Sequence, residues 1–132
     1  MNLFEILKKV LISKKKNNSD NDNFLIDNYS LVVTDNGFNI VHKNEIQLYV
    51  EWDKISKVAT YKADLLTTDL ICLEIHIIGD EKIYEVHEEM KLFSDFCQAL
   101  SDNLDLINSN WYMDVMLPAF KTNYTIIYKK KI

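Results

Sequence analysis

The sequence contains no arginine, so all fifteen of its basic side chains are lysines. With asparagine and isoleucine abundant, the bias resembles that of an AT-rich coding sequence and says little about function. It does remove the planar fork that reads guanine or grips phosphate through two parallel hydrogen bonds, which weakens a nucleic-acid reading. Glycine is almost as scarce. Gly37 and Gly79 are the only two, too few for a phosphate-cradling loop or a dinucleotide fingerprint. The single proline is Pro118. The two cysteines, Cys72 and Cys97, sit inside apolar runs without metal or redox spacing, and read as buried, reduced thiols. No apolar run approaches the ~18 residues of a membrane-spanning helix. Glu5 stands where a secretory signal carries its basic flank, and no small-residue cleavage site follows Ile12, so the expected location is the cytoplasm.

What is present describes a globular chain. At 132 residues, 48% hydrophobic and 27% charged, it can bury a core in one domain without metal or disulfides. The net charge of −5 is unevenly spread. Residues 1–16 carry five lysines against Glu5, and residues 107–132 carry four against Asp114. Between them, residues 17–106 carry six lysines against eighteen carboxylates. An acidic body suits a cationic partner, and basic ends suit an anionic surface.

Leu3, Phe4, Ile6, Leu7, Val10 and Leu11 have helical spacing, ending in Lys14-Lys15-Lys16 at the negative end of the helix dipole. This predicts an N-terminal amphipathic helix over 1–16, docked on its own domain or, through Leu3–Lys16, on a membrane surface. Residues 17–23 form a polar linker. From residue 24 to 132 the pattern predicts a single β-rich domain. Leu31–Thr34 and Phe38–Val41 flank Asp35-Asn36-Gly37, whose Asn-Gly pair signals a hairpin through tolerance of positive φ. Ile46, Leu48, Val50 and Trp52 alternate with polar residues as a half-buried strand. Ile55–Tyr61 reads as a strand, Asp64–Asp69 as a connection, and Leu70–Ile78 as a long strand with Ile71, Leu73, Ile75 and Ile77 on one face. A turn at Gly79–Lys82 leads into Ile83–Glu88. Glu88-Glu89 then opens an amphipathic helix over about 89–107, with Met90, Phe93, Phe96, Cys97, Leu100 and Leu104 on its apolar stripe. Trp111 and Val115 suggest a further short helical turn stopping before Pro118, and Tyr124–Tyr128 a last strand.

Two groups of residues are candidate sites. If Asp80-Glu81 are the loop residues of their hairpin, Gly79 faces Lys82, His76 faces Glu85 and Glu74 faces His87. Glu74, His76, Glu85 and His87 then share one sheet face, with the residue types of a zinc site or a small hydrolase. Flat sheet faces seldom converge four ligands on a point, so a paired, solvated face is the simpler reading, with no cofactor. The second group lies around the Asp64–Asp69 connection: Tyr61, Lys62, Asp64, Thr67 and Asp69 mix aromatic, charged and hydroxyl groups as recognition loops do.

A run of short strands closed by an amphipathic helix resembles a pleckstrin-homology-like fold, a bent sheet or partly open barrel plugged by a C-terminal helix. Tyr61-Lys62, Asp64-Leu65, Thr67 and Asp69–Ile75 resemble a segment of small uncharacterised bacterial proteins. So do Trp111, Val115, Pro118-Ala119-Phe120, Asn123 and Thr125. The resemblance is to immunity partners of polymorphic toxins. It implies an α+β, non-catalytic binding module with a toxin as protein partner; the acidic body adds that this partner is basic and that nucleic acid is not bound. A membrane-surface or lipid adaptor and a small enzyme on the His/Glu face are the alternatives.

Overall fold

Ile71, Leu73 and Ile75 alternate along one strand, and that strand organises the second of two antiparallel sheets. The computed structural model describes residues 29–64, 69–117 and 123–131. The expected N-terminal helix and the linker at 17–23 lie outside them. The described part is α+β. β1 (Tyr29–Val33), β2 (Gly37–His42) and β3 (Glu45–Glu51) form one sheet in that order. A 3-10 turn, Trp52–Lys54, leads into β4 (Ile55–Asp64), β5 (Asp69–Ile77), β6 (Ile83–His87) and, after two helices, β7 (Thr125–Lys129). The order in the second sheet is β6-β5-β4-β7, and the two sheets do not close into a barrel. No described helix is long and apolar enough to cross a membrane.

Helix α1 (Phe93–Asn103) joins the layers. Phe96 packs edge-on to Phe38 at 4.7 Å between centroids and lies 6.3 Å from the Trp52 ring, and all three side chains are buried. Such aromatic pairs contribute about 0.5–1.5 kcal/mol beyond the area they bury. The helix starts later than its sequence suggests. Leu92 takes a left-handed conformation (φ 66°) just before it, so Glu88 and Glu89 precede the helix and do not open it. Glu88 serves elsewhere, accepting the Ile71 amide at 3.0 Å and the Tyr112 hydroxyl at 2.9 Å. The short α2 (Trp111–Met116) stops before Pro118, as expected, and buries Trp111 and Val115.

Three local departures have physical causes. The β3 alternation breaks because the pairing with β2 slips by one residue, Ile40 facing Leu48 but Val41 facing Ile46. A bulge of this kind turns the following side chain to the other face; Val50 is buried while Ile46 is 65% exposed. The β2–β3 turn places Lys43 and Asn44 both at positive φ, joining His42 to Glu45. Gly37 is needed for a different reason from the one its Asn-Gly pair suggests. It lies within β2 opposite Glu51, where a Cβ would sit 1.9 Å from the Val50 carbonyl oxygen.

The two glycines therefore differ in kind. Gly79 has φ +78° and open space around it, whereas Gly37 has no space. Urea unfolding of Gly79→Ala is expected to show a loss of about 1 kcal/mol, the cost of left-handed backbone. Gly37→Ala is expected to lose about 3 kcal/mol or to fail to fold, because backbone must move. Equal losses in the two variants would contradict this division.

Candidate functional site

The β5–β6 hairpin turns two residues earlier than the sequence pattern suggests. Asp80 N–H donates to the Ile77 carbonyl at 3.1 Å, Gly79 takes the positive φ inside that turn, and Asp80 Oδ1 accepts the Lys82 amide at 2.9 Å. The resulting register pairs Cys72 with His87, Glu74 with Glu85 and His76 with Ile83. A two-residue shift keeps every side chain on its expected face. Glu74, His76, Glu85 and His87 therefore still share one face, but the cross-strand partners change.

That face is not a solvated one. Glu85 is 4% exposed and His87 1%, with Cys72 buried beside them. Burial of a carboxylate demands hydrogen bonds, and tyrosines supply them. Tyr61 donates its hydroxyl to Glu85 Oε2 at 2.6 Å. Tyr124, stacked on Tyr61 with centroids 6.5 Å apart, donates to Glu74 Oε1 at 2.9 Å. The same oxygen lies 3.3 Å from His76 Nε2. Burial, followed by the bond to Glu74, pushes the Tyr124 phenol up to about 12, and burial raises Tyr61 as well.

Pairing Cys72 with His87 juxtaposes a thiol and an imidazole, the residue types of a cysteine nucleophile and its base, and the sequence pattern alone did not reveal this pair. Their surroundings oppose that chemistry. Burial pushes the Cys72 thiol up to about 12 and His87 down to about 4, so both are neutral near pH 7. His87 Nδ1 accepts the Glu89 amide at 3.2 Å, which also requires an unprotonated nitrogen there. A reactive cysteine needs a thiolate stabilised by positive charge, and this environment supplies the reverse. Cys97 is likewise pushed up to about 12 by burial and by Glu88. Among the described residues, no group of three or more His, Cys, Asp and Glu is placed to hold a metal ion.

The second candidate group is divided. Tyr61 belongs to the buried network just described. Lys62 is 4% exposed, donates from Nζ to the Met116 carbonyl at 2.9 Å and lies 3.7 Å from Asp69 Oδ2, so it ties β4 to the end of α2. Asp64 and Asp69 form the last pair of the β4–β5 ladder, so both strands run closer to the connection than expected. Thr67 lies outside the described residues.

A further feature stands at the far end of the first sheet. Asp35, Glu51 and Asp53 line an open recess of about 400 Å³ together with Asn36, Tyr49 and Asn103. Asn103 ends α1, whose last turn holds no basic residue, so the negative end of the helix dipole adds to three carboxylates. Buried Trp52 also belongs to the wall, and its indole Nε1 has no hydrogen-bond partner among the described residues. The sequence signal for this recess was the density of acids before residue 54; no spacing rule links Asp35 to Asp53. No protein-family model, curated protein or solved structure matches the chain.

His87 makes stability dependent on pH. Its folded value of about 4 lies below the ordinary 6.5 because burial disfavours the charged ring. The unfolded chain therefore takes up the proton first. The contribution is complete above pH 6.5 and is lost as the pH falls towards 4, by about 3 kcal/mol in all. Unfolding free energies between pH 4 and 7 should decline in this window, and His87→Gln should flatten the decline; an unchanged slope would contradict the assignment. Native thiols should also react with Ellman's reagent at least a hundredfold more slowly than thiols in urea, and fast reaction of Cys72 would show an activated sulfur.

Proposed function

We propose that this chain is a cytoplasmic, non-catalytic binding module of pleckstrin-homology-like architecture that occupies a basic protein partner, as an immunity protein occupies its toxin. The observation that carries this reading is the recess of Asp35, Glu51 and Asp53 beside the first sheet, with no lysine among its described lining residues, although Lys130 Nζ donates to the Asp53 carbonyl nearby. Three carboxylates and a helix C-terminus on one wall attract a cationic surface before contact, raising association rates and rejecting anionic competitors. The chain's wider charge distribution agrees, since residues 17–106 hold three times as many acids as lysines. The buried Cys72–His87 pair supports binding over catalysis, because both groups are held in their uncharged forms. The buried Tyr61–Glu85 and Tyr124–Glu74 bonds are internal ties that fix the scaffold.

The test is expression of the product of the adjacent upstream gene with and without this chain. Toxicity alone, relieved by co-expression through a stoichiometric complex, supports the proposal. A harmless product, or toxicity that persists without complex formation, overturns it. For the purified complex, the association rate should fall about tenfold between 0.05 and 0.5 M salt, because screening shortens the reach of the recess charges. Asp35→Asn with Asp53→Asn should reduce both the rate and its salt dependence.

A further inference from the structure

The four strand edges of the two sheets are not equally open. The outer edge of β1 is occupied: Leu31 N–H donates to the Lys91 carbonyl and Lys91 N–H to the Tyr29 carbonyl, both at 2.9 Å. β7 accepts the Ile107 amide at Ile127. β6 is five residues long, and its last three side chains are buried. β3 differs. Among the described residues it pairs with β2 alone, and Val50 is its single buried side chain. Its first part is interrupted by the bulge near Gln47, which leaves Leu48–Glu51 as the regular stretch. Two recesses border that stretch. One is the acidic recess of Asp35, Glu51 and Asp53. The other, about 240 Å³, is walled by Tyr49, Val50, Glu51, Lys54 and Ile77, so that Tyr49 and Glu51 border both.

We propose that Leu48–Glu51 receives an extended segment of the partner as a fourth strand of the first sheet, with basic and apolar side chains in alternation. Successive side chains of a strand point to opposite sides. An added strand therefore sets a lysine or arginine on the Tyr49 and Glu51 face, beside the acidic recess, and an apolar neighbour on the Val50 face, towards Ile77. Main-chain hydrogen bonds to an open edge supply affinity, and the side-chain recesses supply selectivity. A second copy of this chain does not fit the same edge. Residues 44–53 contain no lysine, so β3 of another molecule brings no cation to the recess and sets its own Glu45 and Glu51 near the acids already there. A divalent ion is not the proposed occupant, since among the described residues no group of three or more His, Cys, Asp and Glu is placed to hold one.

This inference rests on the binding-module reading and specifies its surface. The probes are two capped eight-residue peptides, one alternating lysine with valine and one alternating glutamate with valine, followed by backbone amide shifts of the full chain. The lysine peptide should shift Leu48–Glu51 saturably, and the glutamate peptide should bind at least tenfold more weakly. Glu51→Lys with Asp53→Lys should reverse that preference. Asp35→Asn, which leaves β3 untouched, should weaken the lysine peptide by itself and guards against a charge-swap variant that does not fold. Shifts mapped elsewhere, equal binding of both peptides, absence of saturation, or a β3-mediated dimer in sedimentation would each overturn the inference. A neutralising complex with the upstream product that leaves the Leu48–Glu51 amides unprotected would remove this surface while leaving the function intact. A saturable peptide site without such a complex would do the opposite.

Discussion

β5 is buried on both of its faces from Leu70 to Leu73, and that constraint shapes the second sheet. A strand with one wet face can carry charge there freely, but a strand covered on both sides cannot. Its neighbours inherit the problem. Thr60, Lys62, Glu85 and His87 are all buried polar residues, and they flank β5 on β4 and β6. Each is accommodated by a specific contact: Thr60 donates to the Cys72 carbonyl, Lys62 to Met116, and Glu85 receives Tyr61, while His87 stays neutral against the Glu89 amide. A functional-looking set of side chains thus follows from the demands of burial.

The sequence revealed much of the fold and little of the site. Alternation at Ile71, Leu73 and Ile75 located β5 and its core face, and Pro118 correctly bounded the last helical turn. Register was harder, because a shift of two residues leaves every face unchanged and so leaves no trace in the hydrophobic pattern. Only the positive φ at Gly79 and the Asp80 turn decide that Glu74 meets Glu85. Burial of the polar face was equally hidden, since Glu74, His76, Glu85 and His87 look the same in sequence whether wet or dry. The acidic recess required Asp35, Asp53 and Asn103 to meet from three elements, which is tertiary information.

Charge in this molecule is sorted by location. Around β5, Glu74 and Glu85 are paired with phenols, Lys62 with a carbonyl and Asp69, and Cys72 and His87 are kept neutral. On the first sheet Asp35, Glu51 and Asp53 line an open recess beside β3, which among the described residues pairs with β2 alone. Recognition surfaces are commonly built this way, with rigidity behind and unsatisfied capacity in front. The aromatic contact of Phe96 with Phe38 and Trp52 links the two regions, since Trp52 forms part of the recess wall and Phe96 belongs to the shared core.

The placement of β7 beside β4 has a consequence for how the protein is made. Thr60 pairs with Thr125, about sixty-five residues later in the chain, so this closure costs several kcal/mol of loop entropy. A ribosome delivers β4, β5 and β6 well before it delivers β7. During that interval one side of β4 stands open, with Val58 and Ala59 next to an unoccupied hydrogen-bonding edge. Until β7 emerges the nascent chain therefore keeps this side of β4 open to wrong pairing, and β7 is the strand that closes it.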